Sequence, residues 1–428
     1  SSARMGVRQL PNPSRILCFS FHLILTLLQQ TTAERELKFV LVVFRHGDRT
    51  PIVNFPTDPH KESEWPQGFG QLTKTGMQQL FELGQYMRKR YSSFLNSTYN
   101  RQEFYIQSTD YDRTIMSAQS YLSGLFPPTS SQIWNPELLW QPIPVHIFQK
   151  STEQRLNFPL PDCPRFDELQ SETQTSREFQ NRIQPYMDFI QTMAVNTGLE
   201  LNNLKILDNF QLWNTYDTLH CEGIHNYTLP VWATKDVIDK MEKLAELSLL
   251  SLFGLYKTEE KSRLQGGFKE ILRNLKEKNH ALTDKTITCL IHDTTVGALQ
   301  IALNIFNGKL PPYAACQFFE LYQESTSQLL LIRRYSIEMH YRNDTSKDPY
   351  LLTLPGCTSS CPLEKFAELV SPVITENWSR ECGKKDKMKD IFIGFDVAVG
   401  LLFIFNLVLL YLLYHYGRCR RRNNYQDI

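Results

Sequence analysis

Six consecutive apolar residues, Phe39 to Phe44, stop abruptly at the charged turn Arg45-His46-Gly47-Asp48-Arg49-Thr50-Pro51. A run without polar alternation, rich in β-branched and aromatic side chains, predicts a strand buried on both faces, as in the middle of a parallel sheet. Two further apolar stretches end in the same way. Glu103 to Gln107 runs into Ser108-Thr109-Asp110-Tyr111-Asp112-Arg113-Thr114, and Thr286 to Ile291 runs into His292-Asp293-Thr294-Thr295. Elsewhere the apolar spacing becomes three and four. Leu72 to Tyr91 predicts a helix capped by Thr73, with Met77, Leu80, Leu83 and Met87 on one face and a basic end that suits a helix C-terminus. Ile115 to Leu125 predicts a second helix, which places Arg113 in its first turn behind Ser, Thr and Asp capping types. Thr234 caps a third, ending at Gly254, and Thr294 a fourth, closed by Asn307-Gly308.

Residues 126 to 163 are rich in proline and predict loops with Trp134 and Trp140 as apolar anchors, whereas 165 to 256 are mainly helical. Phe318 to Leu321, Leu329 to Arg333 and Ile337 to Tyr341 predict short strands at a sheet edge. The expected fold class is α/β: a mostly parallel central sheet with helices on both faces, a smaller helical insertion domain at about 165–256, and a single C-terminal transmembrane helix. In open α/β sheets ligands bind at the carboxyl ends of the strands. The three charged turns therefore converge on one expected site.

The two ends of the chain set its compartment. Met5, Arg8 and Arg15, the apolar run Ile16 to Leu28, and the small residues Thr31-Thr32-Ala33 predict a signal peptide region over 1–33. Val397 to Tyr414, extended upstream, predicts a transmembrane helix over 391–416, with a cytoplasmic tail at 417–428. The expectation is a single-pass type I protein of the lysosomal or endosomal membrane or the plasma membrane, its catalytic domain (34–383) lumenal or extracellular. Tyr425 to Ile428 fits a loose sorting pattern. Sequons at Asn96, Asn226, Asn343 and Asn377 agree with that side of the membrane. Of nine cysteines, Cys18 and Cys419 fall outside the expected domain. Cys289 sits in an apolar run and is the natural free thiol, leaving six for three bridges among fifteen possible connectivities.

A net charge of +1, with both signs interspersed, argues against nucleic acid as a partner. No Cys/His spacing suits a metal and no Walker-type glycine loop is present, so no cofactor is expected. Arginine forks match phosphate oxygens, and an imidazole between them is a nucleophile in the right place.

Arg45-His46-Gly47-Asp48-Arg49-Thr50-Pro51 with the later His292-Asp293 resembles the histidine acid phosphatases. Glu36 to Val40, Trp65 to Thr73, Leu138 to His146 and Ser262 to Gly267 extend the likeness over roughly residues 36 to 382. The resemblance implies hydrolysis of phosphomonoesters through a covalent phosphohistidine at His46. It implies that Arg45, Arg49, Arg113 and His292 hold the phosphate, and that Asp293 protonates the leaving oxygen. It further implies bridges Cys163–Cys382, Cys221–Cys316 and Cys357–Cys361, and a homodimer contact around Trp140 and His146. Leu290-Ile291 stand where relatives have small residues, and Gln323 to Arg334 is longer than in relatives. The first departure keeps an alternative in view, a catalytically weakened ectodomain serving as an interaction module. A phosphoglycerate-mutase-like transferase is the minor alternative within phosphohistidine chemistry.

Overall fold

The computed structural model describes residues 34–148, 163–200, 211–265, 286–291, 294–325, 333–383 and 387–423. Residues 1–33, expected as a signal region, His292 with Asp293, and the residues from 424 lie outside the described residues.

Strand β1 (Glu34–Phe44) leads through the motif to α1 (Lys74–Arg90), β2 (Phe104–Thr109), α2 (Asp112–Leu125) and the short β3 (His146–Phe148). A helical block follows: α3 (Pro164–Thr175), α4 (Arg177–Ile183), α5 (Met187–Thr197), α6 (Gln211–Ile224), α7 (Lys235–Phe253) and α8 (Thr258–Leu264). The chain returns to the sheet with β4 (Thr286–Ile291), α9 (Thr295–Ala302), β5 (Cys316–Ser325), β6 (Arg333–Arg342), β7 (Tyr350–Leu352) and β8 (Cys361–Pro362). It closes with α10 (Leu363–Val370), α11 (Trp378–Glu381) and the long α12 (Lys387–Asn423).

The eight-stranded sheet has the order β3-β2-β4-β1-β5-β6-β7, with β8 on β6. The neighbours β2, β4 and β1 are parallel, so the three strands that end in charged turns open at one edge of the sheet. From β5 onward every pairing is antiparallel. The sheet is therefore mixed, not mostly parallel. Phe318 to Leu321 and Ile337 to Tyr341, expected as short strands, belong to two long ones, paired from Cys316↔Arg342 to Ser325↔Arg333, while all but the last residue of the strand expected at Leu329 to Arg333 lies outside the described residues.

Phe39 to Phe44 are each at most 1% exposed, as a strand covered on both faces requires. Phe39, Leu41 and Val43 pack with Val296 and Leu299 of α9 and Phe366 of α10, while Val40, Val42 and Phe44 pack with Leu80, Leu83 and Met87 of α1 and Tyr121 of α2. Each such side chain contributes about 1.5–3 kcal/mol of transfer free energy, so the strand carrying the motif is firmly held. The helical block has its own core, built on Phe179, Ile190, Leu212, Met241 and Leu244. Phe55, from the segment following the motif, inserts into it.

Glycines set how closely the motif is wrapped. A Cβ on Gly47 would lie 2.3 Å from the Gly76 carbonyl oxygen, and Gly47 is absent from the residues of positive φ. Its role is close approach to α1 rather than an unusual turn. Gly84 of α1 and Gly124 of α2 do the same between helices, their hypothetical Cβ atoms lying 2.1 Å from the Tyr121 and Phe81 oxygens. Gly84→Ala is expected to force the helices apart at a cost of about 1–3 kcal/mol, read as a lowered urea midpoint. An unchanged midpoint would show that the helix pair gives way freely.

Cys163–Cys382 ties the start of α3 to the end of α11, and Cys357–Cys361 closes a short loop. The expected Cys221–Cys316 bridge is not formed, and both residues are buried thiols. Their surroundings differ: Cys316 packs on the sheet with Val42 and Phe44, whereas the Cys221 sulfur lies 3.4 Å from the Tyr313 hydroxyl and 3.7 Å from Arg49 Nη1. In α12, Ala398–His415 is an 18-residue stretch of mean hydropathy 2.1, long and apolar enough to cross a membrane.

Candidate active site

The turn after β1 is clamped from several elements. The Arg45 N–H donates to Ala315 O (2.9 Å) and the Ala314 N–H to His46 O (3.1 Å). The Gly47 N–H donates to Ser117 Oγ of α2 (3.2 Å), and the Asp48 N–H to Gln79 Oε1 of α1 (2.8 Å). The buried Asp48 carboxylate accepts from His225 Nε2 at 2.8 Å, just past α6, and from the Thr73 hydroxyl that caps α1. His46 is 0% exposed, with Nδ1 2.7 Å from the Gly47 carbonyl oxygen. A carbonyl only accepts, so Nδ1 carries a hydrogen, and in the neutral ring the lone pair lies on Nε2.

Three guanidiniums line one cavity of about 490 Å³: Arg45, Arg49 and Arg113. Arg49 is held by a buried two-pronged pair with Asp217 of α6, Nη1 to Oδ2 at 2.7 Å and Nη2 to Oδ1 at 2.9 Å. Burial works to raise the Asp217 carboxyl, but the Arg49 charge and hydrogen bonds outweigh it and hold the acid below its usual range. Arg45 Nη1 donates to Pro311 O (2.7 Å), and its guanidinium lies 4.4 Å from the Tyr313 ring centroid. Arg113, in the first turn of α2 as expected, lies 4.7 Å over the ring of Tyr111, which occupies the cap position in place of the expected Ser, Thr or Asp. The rest of the lining includes the apolar and aromatic Ile52, Trp213, Tyr216 and Leu310, with His220 and Glu242. Burial pulls His220 below its usual range, with Arg45 adding to the shift against Asp217. Cys221, pushed up to about 12 by burial and then by Asp217, remains a thiol.

The structure thus gathers Arg45, Arg49 and Arg113 on the cavity and places His46 behind it, its ring 5.8 Å from that of the lining residue Tyr313. His292 and Asp293 lie outside the described residues, but the backbone on either side leads to the same place. Ile291 pairs with Phe44 and with Ser108, and Thr294 lines the cavity. Asp217, His220, Tyr313 and the Asp48–His225 link are not legible in the sequence pattern. Asp217 sits within a helix whose apolar spacing gives no sign that one of its carboxylates faces an arginine 168 positions away.

Three arginines on one cavity at the carboxyl edge of parallel strands, with the buried His46 ring 5.8 Å from the Tyr313 ring of that cavity, suit the binding of a phosphate group. Residues 36–342 match the family described as "Histidine phosphatase superfamily (branch 2)", and the chain belongs to that superfamily and is a phosphatase. It is 54% identical over 370 residues to the prostatic acid phosphatase of Rattus norvegicus, covering 86% of this chain and 94% of that protein. It is 44% identical to the lysosomal acid phosphatase of Homo sapiens, covering 90% of this chain and 89% of that protein. Among solved structures, the Hafnia alvei phytase in complex with myo-inositol hexakis sulphate shares the fold. Its TM-score is 0.57 at 16% identity, over 81% of this chain and 98% of that one.

Proposed function

We propose that this phosphatase hydrolyses phosphomonoesters at acidic pH through a phosphohistidine at His46. The observation that carries this reading is the set of three guanidiniums, Arg45, Arg49 and Arg113, on one cavity whose Tyr313 ring lies 5.8 Å from the His46 ring, itself oriented by Nδ1–H donating to Gly47 O. In the proposed sequence Nε2 forms a bond to phosphorus as the ester P–O bond breaks, and Asp293 gives its proton to the departing alcohol. Water then attacks the phosphohistidine with the Asp293 carboxylate taking its proton, which regenerates the imidazole and releases inorganic phosphate. Arg45, Arg49, Arg113 and His292 spread the charge of the transferring group over its outer oxygens. Asp293 must start protonated, so the operating range is acidic.

The same reading extends to assembly and location. Trp134, Leu139 and Trp140 are exposed beside β3, the edge strand, where Tyr105 stacks on His146 with ring centroids 4.5 Å apart. An exposed aromatic patch on an open edge supports a homodimer through this face. The Ala398–His415 stretch supports a single membrane anchor, with residues 34–383 as one lumenal or extracellular catalytic domain, 165–256 as its helical insertion, 1–33 as a signal region and 417–428 as a cytoplasmic tail. The lysosomal or endosomal membrane and the plasma membrane both fit this arrangement.

The purified ectodomain is expected to release phosphate from p-nitrophenyl phosphate with a maximum on the acid side of neutrality. Binding of phosphate without turnover at any acidic pH would favour the alternative, a catalytically weakened ectodomain serving as an interaction module.

A further inference from the structure

The cavity that gathers the three arginines is larger than a phosphate group needs. At about 490 Å³ it falls in the range of small-molecule sites, roughly 300–1,000 Å³, so it also takes in the group to which the phosphate is attached. Arg45 and Arg49 follow β1 and Arg113 opens α2, whereas Trp213 and Tyr216 come from α6 and Glu242 and Leu249 from α7. Two helices of the helical block thus supply the part of the lining that is free to recognise a leaving group. Two carboxylates stand among the described lining residues, Asp217 and Glu242, and their surroundings differ. Asp217 is committed to Arg49 through both of its oxygens. Glu242 is half-buried and, among the described residues, neither accepts a hydrogen bond nor forms an ion pair. Other acids of α7 do pair with lysines: Asp236 with Lys240 at 2.7 Å, Asp239 with Lys235 at 2.6 Å and Glu246 with Lys243 at 2.8 Å. Glu242 and Leu249 are two helical turns apart on one face of α7, and that face lines the cavity.

We propose that Glu242 is a specificity-determining residue of this phosphatase, favouring phosphomonoesters whose leaving group joins an aromatic or apolar body to a cationic ammonium or guanidinium. The inference rests on the phosphomonoester reading above and adds to it the charge of the leaving group. With the phosphate on the arginines, the body of the leaving group packs on Trp213, Tyr216 and Leu310 and its positive end meets Glu242. Charge balance is the reason. Three guanidiniums attract any anion to the cavity and so do not discriminate among phosphate esters. A carboxylate without a counter-charge does discriminate: it gains an ion pair from an ammonium, gains nothing from a neutral group and repels a second carboxylate. The aromatic rings beside it add to the attraction for a cation and none for an anion.

The test uses the full chain at pH 6 with phenyl phosphates that differ only in the para substituent. Tyramine phosphate carries an ammonium, 4-ethylphenyl phosphate is neutral, and the ester of 3-(4-hydroxyphenyl)propionate carries a carboxylate; both charged groups are ionised at that pH. The readout is the ratio of kcat/KM between two esters, compared between wild type and variant. The intrinsic reactivity of each ester and any general loss in a variant both cancel in that comparison. Glu242→Gln is expected to lower the tyramine-to-ethyl ratio about fivefold and to raise the propionate-to-ethyl ratio by a similar factor, the change falling on KM rather than kcat. Glu242→Lys is expected to reverse the order of the charged esters, and Glu242→Asp to restore part of the wild-type order. Ratios that are the same in wild type, Glu242→Gln and Glu242→Lys overturn the proposal. Binding of the esters without turnover would contradict the phosphomonoester reading instead, and the same ratios taken from dissociation constants then decide the role of Glu242.

Discussion

His46→Ala is expected to lose turnover on every phosphomonoester, whereas Asp293→Asn is expected to keep part of it on substrates whose leaving group departs without a proton. The first substitution removes the only atom proposed to bond phosphorus, and His220, on the same cavity, is expected not to replace it because it stands on α6 and not at the end of β1. Arginines cannot act as nucleophiles, and burial holds the Cys221 sulfur as a thiol with its pKa pushed up to about 12. The second removes general acid help, worth about 10²- to 10⁴-fold, in proportion to the basicity of the leaving oxygen. A series running from nitrophenyl to alkyl phosphates should therefore show Asp293→Asn approaching wild type at the nitrophenyl end and falling away at the alkyl end. His46→Ala should be flat and near zero throughout. Parallel losses in the two variants would contradict the roles given to both residues.

Asp217→Ala is expected to destabilise the protein by about 3–5 kcal/mol, because it leaves the Arg49 guanidinium buried without its counter-charge. The side chains of the pair are 4% and 10% exposed, so water offers little compensation. Asp217→Asn should cost less, since an amide oxygen still accepts one of the two hydrogen bonds. The pH dependence has a definite sign. Arg49 holds Asp217 below its usual range, so the pair contributes fully above the ordinary carboxylate pKa and is lost only as the pH falls through the lower, folded value. The gap in denaturation midpoint between wild type and Asp217→Ala should therefore be equal at pH 7 and pH 5. It should close only in stronger acid. A gap under about 1 kcal/mol at pH 7 would mean that Arg49 finds another partner or moves to solvent.

The parts of this site that were legible in the sequence are those fixed by strand ends. Phe39 to Phe44 announces a strand covered on both sides, and the charge that follows it marks the carboxyl edge. Arg113 could be placed because β2 and α2 adjoin in the chain. What was not legible depends on long-range packing. Gly47 reads as a turn residue, yet what it provides is room for the Gly76 carbonyl, a constraint that exists only once α1 lies against the motif. Asp217 and His220 come from α6, whose position over the cavity is set by the core around Leu212, Met241 and Phe55. The extent of the antiparallel half is not legible because Phe318, Phe319 and Leu321 are all buried, which interrupts the two-residue alternation that would mark a long antiparallel strand.

The central claim is that phosphate passes through a covalent bond to His46. Rapid quenching of the enzyme during turnover of a labelled aryl phosphate, followed by proteolysis under alkaline conditions, tests it most directly. The account predicts an acid-labile, base-stable label on the peptide containing Arg45-His46-Gly47, formed by wild type and by Asp293→Asn and absent from His46→Ala. Label on any other peptide, or label retained in His46→Ala, would contradict it.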